Sequence, residues 1–220
     1  MQLVYHKIES LFIGVDPLEQ MCYLVPIAKS KGGDMNGSRS LVDRMIRAAR
    51  LDVDLYEEVE ADTTALPQAL VVVAIAGLSI GLGSALGILW DDSGLRFVQA
   101  VLWGVLMGIL GWLIWSLLTY YIGTRLFRGP ETKSDYFEVL RTIGFSASPG
   151  ALLILGFIPF IGSLIRLAIW VWMLVAMVIA VRQALDFTTG RAIGTCIAGF
   201  IVWVVLYWAI GAALGLVAVL

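Results

Sequence analysis

The chain has 220 residues, of which 60% are hydrophobic and only 15% are charged, whereas a soluble domain carries about 25% charged residues. This composition excludes an ordinary soluble domain and indicates an integral membrane protein. The formal net charge of -2 offers no basic surface to phosphates, so we expect no nucleic-acid partner.

Residues 1–38 show no sustained hydrophobic period, and the run KSKGGDMNGSRS is typical of a flexible linker. We therefore interpret residues 1–38 as a flexible N-terminal extension. An alternative interpretation is that translation begins at Met35 and that the residues before it come from a misassigned start.

Residues 39–62 form a second region, in which apolar side chains recur at spacings of three and four and predict one amphipathic helix. The predicted apolar stripe consists of Val42, Ile46, Ala49, Val53 and Tyr56. Arginines 44, 47 and 50 flank its first half, and acidic residues fill its second half. Two interpretations stay open: an interfacial helix whose arginines meet anionic headgroups, or a short helix packed on the cytoplasmic ends of a bundle.

Residues 63–220 contain five apolar segments, each near or above the roughly 20 residues that cross a bilayer as a helix. Their approximate bounds are 67–89, 97–122, 139–157, 164–184 and 192–220. A closed barrel would need alternating segments of about ten residues, which the sequence lacks. The predicted fold class is therefore an all-α membrane protein with five transmembrane helices and a short cytoplasmic amphipathic helix before the first.

The distribution of Lys and Arg predicts the orientation of the spans. Thirteen of these residues precede the first span or flank the second and fourth connections, and two lie on the opposite side. This asymmetry places the N-terminus in the cytoplasm and the C-terminus outside.

No Asp, Glu, His or Lys lies in the middle of a span, where proton relays and ion-coupled transporters place such groups. Three arginines, Arg141, Arg166 and Arg182, lie near span ends, where snorkelling to the interface explains them. Cys22 and Cys196 are far apart, which suggests neither a disulfide nor a metal site. We predict no catalytic residue, no cofactor and no metal, and hence no enzyme.

Glycines at a spacing of four predict close helix packing in the membrane, because small residues let two backbones approach each other. The candidate packing residues are Gly77, Gly81, Gly83, Gly87, Gly104, Gly108, Gly211 and Gly215. They are expected either to pack helices within this chain or to form the surface of a homo-oligomer.

The third span contains the run GFSASPG, with helix breakers inside an apolar segment. Pro149 lacks an N–H group and clashes with the carbonyl four residues back, which predicts a kink. The candidate kink or gate comprises Gly144, Ser146, Ser148, Pro149 and Gly150. Its serines are not catalytic nucleophiles, since the only histidine, His6, lies outside the spans.

Two short motifs carry a resemblance to a known family. Asp54-Leu55-Tyr56 precedes the first span, and Gly144-Phe145-Ser146 is followed by Pro149 in the third. Together with five spans, these residues resemble the Yip1-domain family over roughly residues 41–220. The stretch over residues 174–195 is similar to the fourth-to-fifth connection of its bacterial members.

The resemblance implies a multi-pass membrane protein with a cytosolic N-terminus. Eukaryotic members are implied to lie in early secretory membranes and to engage prenylated small GTPases or help shape membranes. Glu57 and Glu58 stand where those members have Gly-Pro, and the compact chain is more similar to a prokaryotic member of the cytoplasmic membrane.

The leading functional hypothesis is a scaffold or adapter that acts in the lipid bilayer through helix packing and its cytoplasmic face. A membrane or peripheral protein would dock on the candidate partner-facing residues Asp54, Leu55, Tyr56, Glu57 and Glu58. The alternative is a small-molecule or lipid transporter that uses the Pro149 kink as its gate.

Overall fold

The computed structural model describes residues 40–88, 94–127, 134–158 and 160–219. In these ranges every regular element is a helix, beginning with two short ones, α1 (Leu41–Ala49) and α2 (Val53–Ala61). We call α1, α2 and the turn between them the N-terminal hairpin. The predicted N-terminal extension and the alternative start at Met35 lie outside the described residues.

Five segments that follow are long and apolar enough to cross a membrane, which confirms the predicted fold class. They are α3 (Leu66–Ile88), α4 (Gly94–Arg125), α5 (Tyr136–Ser146) with a 3-10 helix (Ser148–Phe157), α6 (Gly162–Ala184) and α7 (Thr189–Val219). A short 3-10 turn, Thr63–Ala65, leads into α3. The chain is therefore a multi-pass membrane protein.

The prediction of one helix before the first span is wrong, because the helix is interrupted between α1 and α2. Leu51 adopts a left-handed conformation with φ 62°, which ends α1. The side chain of Asp52 then accepts the backbone N–H of Asp54 at 3.2 Å and caps the start of α2.

The predicted apolar stripe is also wrong in α1. Val42 and Ile46 are exposed, whereas Arg44 and Ala48 form the buried face. The break changes which side of each helix faces the bundle, so a period that runs through Leu51 does not define a single surface.

The third span combines two helix types. A capping box starts α5, where the Asp135 side chain accepts the N–H of Tyr136 at 2.8 Å and Glu138 accepts the N–H of Asp135 at 2.8 Å. The α-helix ends at Ser146, and the 3-10 helix carries Pro149 in its first turn. At the rise of each helix type the two pieces cover about 36 Å, enough to cross the hydrocarbon core.

The third span is central to the bundle, and its residues 139–146 are all buried. It packs against α3, α4 and α6, while α3 and α4 form the most extensive helix pair. Helix α2 packs against α5 and α6, and α1 packs against the 3-10 helix. The N-terminal hairpin is thus docked on the side of the third and fourth spans.

Candidate functional site

Arg44 is the centre of a polar cluster that joins the N-terminal hairpin to the first span. Its guanidinium donates to Glu58 at 2.8 and 3.1 Å, to Asp62 at 2.8 Å and to Gln68 at 3.0 Å. The Arg44 side chain is only 2% exposed. The Thr64 hydroxyl and the Arg44 guanidinium hold the pKa of Asp62 at about 2, so this carboxylate is ionised at neutral pH.

Arg47 also links α1 to α2. It donates to Asp52 at 2.8 Å, at the start of α2, and to the second oxygen of Glu58 at 2.7 Å. Glu58 therefore bridges both arginines. The prediction that these arginines meet headgroups does not match this geometry, because Arg44 and Arg47 are used by carboxylates of the same chain.

Arg141 binds the C-terminal end of α2. Its guanidinium donates to the carbonyl of Val59 at 3.0 Å and to that of Glu60, two of the carbonyls that a helix leaves unpaired at its C-terminus. Arg141 is buried. Snorkelling to the interface is therefore the wrong explanation for this arginine, which instead ties the third span to α2.

The candidate partner-facing residues separate into two groups. Leu55 and Tyr56 are 0% exposed and belong to the core, and the Tyr56 hydroxyl donates to the Ala48 carbonyl at 3.4 Å. The sequence prediction that these two face a partner is corrected by their burial. Of the three carboxylates, Glu58 is bound by Arg44 and Arg47, whereas Asp54 and Glu57 are exposed, and Glu57 accepts a hydrogen bond from the Gln183 amide at 2.9 Å.

Glu60 lies where acidic groups from three parts of the chain approach each other. Burial, together with the carboxylates of Asp186, Glu138 and Glu57, raises its pKa to about 7 against the lowering effect of Arg141. Near neutral pH, a proton on Glu60 therefore relieves repulsion in this part of the site.

The kink residues are buried and their hydroxyls have backbone partners. Ser146 donates to the Ile143 carbonyl and Ser148 to the Phe145 carbonyl, both at 2.7 Å. A Cβ atom added at Gly144 would lie 2.7 Å from Cβ of Ala69, so this segment lies tightly against the first span. The structure therefore brings the candidate kink residues together as a close-packed transition between helix types.

Four of the candidate packing glycines lie at the contact of α3 and α4. A Cβ atom added at Gly104 would lie 2.6 Å from the Gly77 carbonyl oxygen, and one added at Gly81 would lie 2.8 Å from Cα of Val101. A Cβ atom added at Gly108 would lie 3.2 Å from Cα of Gly77. These glycines pack helices within the chain.

The other candidate glycines have different surroundings. A Cβ atom added at Gly83 would lie 2.9 Å from the Leu153 carbonyl oxygen of the third span. Gly87, Gly211 and Gly215 lie where the structure describes the helix but not the side-chain surroundings, so their predicted packing role stays a prediction.

The burial of two kinds of polar residue was not predicted from the sequence. Arg44 and Arg141 were assigned to surfaces, although the acidic residues over 52–62 were a signal that buried partners existed. Ser116 and Thr119 of α4 were not singled out; both are 0% exposed, and neither hydroxyl has a hydrogen-bond partner among the described residues. Among the residues that the structure describes, no group of His, Cys, Asp or Glu is placed to hold a metal ion.

Among models of protein families, the Yip1 domain matches residues 53–213 of the chain. No curated protein and no solved structure matches the chain. The matched region begins at the first residue of α2, includes the docked Asp54-Leu55-Tyr56 segment and the first four spans, and ends within the fifth. The resemblance noted from these motifs is thus confirmed, and the chain belongs to the Yip1-domain family of membrane proteins.

Proposed function

We propose that this protein is a non-enzymatic membrane scaffold that recruits a membrane or peripheral protein through the exposed carboxylates of Asp54 and Glu57. The observation that carries the proposal is the rigid docking of α2. Its apolar side is buried in the bundle, Arg47 binds Asp52 at its start, Arg141 binds carbonyls at its end, and its acidic side remains exposed. A preorganised acidic surface of this kind favours a partner with basic side chains.

The chemistry of the spans supports a role without catalysis. Hydroxyl groups such as those of Ser146, Ser148 and Thr142 donate to carbonyls within their own span, which leaves them no proton acceptor of the kind a nucleophile needs. The excess of Lys and Arg on one side supports an orientation with the N-terminal hairpin in the cytoplasm, where the partner would be found.

The test is to remove the two charges without disturbing the core. The Asp54→Asn, Glu57→Gln double variant and the wild type are recovered from native membranes after crosslinking, and their crosslinked proteins are compared by mass spectrometry. Tyr56 is left unchanged, because its burial would turn a binding test into a folding test.

Asp135→Asn is the matched control, since Asp135 is exposed on the connection before α5 and asparagine keeps its N-cap. We expect a reproducible partner to be lost in the double variant and kept in the control. Recovery of the same proteins with the wild type, the double variant and the control would contradict the scaffold proposal.

One observation favours the alternative, a transporter gated near Pro149. A 3-10 helix of 10 residues is unusually long, and such a stretch inside a span is often a hinge. This function requires water beside Ser146 and Ser148, whose side chains are buried. Cysteines at these positions, with Cys22 and Cys196 replaced, should then react with a water-soluble thiol reagent; full protection of both argues against transport.

A further inference from the structure

Glu60 lies in the last turn of α2 and has acidic neighbours on two helices. Glu57 is three residues earlier in α2, so the two side chains lie on the same side of the helix. Arg141 of α5 donates to the Glu60 carbonyl, and Glu138 lies one turn before Arg141. Acidic groups of α2 and α5 therefore meet at the end of α2.

The acidic side of α2 also adjoins an open cleft at the end of α6. Gln183 donates to Glu57 at 2.9 Å, which joins the two helices, and Asp186 follows three residues later. The cleft has a volume of about 440 Å³ and is lined by Arg182, Gln183, Asp186 and Phe187. Arg182 and Asp186 supply one charge of each sign, so the cleft by itself does not repel a cation. A side chain that enters it comes close to the Glu57 carboxylate.

The Glu60 carboxylate is not neutralised by a bound arginine. Arg141 donates to backbone carbonyls at the end of α2, and the Glu60 carboxylate has no hydrogen-bond partner among the described residues. Burial, with the carboxylates of Asp186, Glu138 and Glu57, holds its pKa at about 7 against the lowering effect of Arg141. A substantial share of the molecules therefore carries a proton at this position at neutral pH.

A cation that approaches Glu60 and a proton on Glu60 act against each other. The cation favours the ionised carboxylate, and by thermodynamic linkage the proton weakens the binding of the cation. Coupling of this kind between two sites commonly changes the affinity by about fivefold or more. Because Glu60 titrates near neutral pH, the coupling operates there.

We propose that the protonation state of Glu60 controls recruitment at this surface: a Lys or Arg side chain of the partner binds between α2 and the end of α6 when Glu60 is ionised, and a proton on Glu60 weakens that binding. Recruitment therefore strengthens as the pH rises through neutrality. This inference rests on the proposed scaffold function, because it concerns the same acidic side of α2. It adds the chemical group that the partner contributes and the condition under which that group is bound.

The probe for the experiment is a fluorescently labelled tetralysine peptide with an acetylated N-terminus and an amidated C-terminus. The lysine pKa is about 10.4, so the amines stay charged between about pH 6 and about pH 8, and a change in affinity over this range comes from the protein. The full chain is purified in an uncharged detergent, which removes anionic lipid as a competitor. Fluorescence anisotropy then gives the Kd at both pH values and at one ionic strength.

Glu60→Gln is the deciding variant, because it removes the proton-binding group and keeps the shape of the side chain. We expect the wild type to bind the peptide about fivefold more tightly, or more, at about pH 8 than at about pH 6. Glu60→Gln should bind it equally at both pH values and as weakly as the wild type does at the lower one. Asp135→Asn is the control and should keep the wild-type pH dependence.

Asp186→Asn is a second variant, which tests the same coupling without changing Glu60. Asparagine tolerates the left-handed conformation of Asp186, which has φ 50°. The loss of this carboxylate weakens the repulsion on Glu60, so the pH at which the affinity changes should move to a lower value. An unchanged midpoint would contradict the inference.

The outcomes separate this inference from the scaffold proposal. Equal affinity of the wild type at both pH values would overturn the inference, whereas weaker binding by the Asp54→Asn, Glu57→Gln variant would still support the scaffold proposal. A pH dependence that persists in Glu60→Gln would also overturn the inference and would assign the effect to another group, such as His6. If the wild type binds no peptide at either pH, a basic partner is excluded and both proposals fail.

Discussion

The buried arginine of the N-terminal hairpin and the hydrogen-bonded hydroxyl groups of the spans have different kinds of partner. In the hairpin, Arg44 bonds to Glu58 on another helix and to Asp62 beyond it. In the spans, hydroxyls such as those of Ser146 and Ser148 donate to carbonyls within their own span. Bonds between elements fix how those elements are arranged, whereas bonds within a helix only satisfy the hydroxyl. The hydroxyl groups of the spans therefore do not specify the tertiary structure, whereas the arginine of the hairpin does.

Close backbone contact specifies how the first two spans pack. The α3 and α4 helices meet at Gly77 and Gly104, where each lacks the room for even one methyl group. Lipid chains are as apolar as the side chains of the spans, so packing has to distinguish one helix contact from another. Four measurements test whether buried charges stabilise the hairpin and close packing stabilises the spans.

Arg44→Ala should have the largest effect on folding. It removes the buried guanidinium that joins α1 to Glu58, Asp62 and Gln68, at a cost of about 3 kcal/mol in unfolding free energy. Arg50→Ala is the control, since Arg50 is exposed and its loss should cost under about 0.5 kcal/mol. Unfolding by SDS in mixed micelles measures both. Equal destabilisation by the two variants would contradict the role given to the cluster.

Gly104→Ala should separate α3 from α4. The added methyl would lie 2.6 Å from a backbone oxygen, which cannot move aside as a flexible side chain can, so we expect a loss of about 2 kcal/mol. Gly111→Ala in the same helix is the matched control, because an added Cβ atom there meets nothing within 4 Å. The same unfolding assay applies. If Gly111→Ala is as costly as Gly104→Ala, close packing at Gly77 is not what holds the pair.

The hairpin should become less stable as the pH rises through neutrality. The pKa of Glu60 is raised from 4.5 to about 7 in the folded protein, so the folded state binds more protons than the unfolded state between these values. Stability is therefore full below about pH 4.5 and falls as the pH rises through about 7. Allowing for solvent screening, the change is on the order of 1 kcal/mol. In Glu60→Gln this pH dependence should disappear; its persistence would assign it to another group.

Thr119→Val should have the smallest effect. The Thr119 hydroxyl is buried without a hydrogen-bond partner among the described residues, so its removal should change the unfolding free energy by less than about 0.5 kcal/mol. Thr142→Val is the comparison, because that hydroxyl donates to the carbonyls of Glu138 and Val139 and should be worth about 1 kcal/mol. A larger loss from Thr119→Val than from Thr142→Val would mean that Thr119 has a partner, such as a bound water.

The sequence alone determined the class of the protein and the approximate bounds of its spans. Uninterrupted apolar segments must be helical in a bilayer, because lipid offers no partner to backbone groups, and this constraint requires no knowledge of tertiary contacts. The bounds of the third span were predictable as well, although its change to a 3-10 helix was expected only as a kink at Pro149. The Asp54-Leu55-Tyr56 motif identified the family but not the burial of Leu55 and Tyr56.

The roles of the arginines and the buried face of α1 follow from the tertiary structure and not from local sequence. The sequence shows that Arg44 and Arg141 are charged, but their burial depends on carboxylates and carbonyls that chain folding brings to them. The apolar period through Val42, Ile46 and Val53 predicted a single buried stripe, and the left-handed Leu51 divides it into two helices with different buried faces. Hydrophobic periodicity is a local property of a continuous helix, whereas the pairing of buried charges is a property of distant residues, and only the fold brings those residues together.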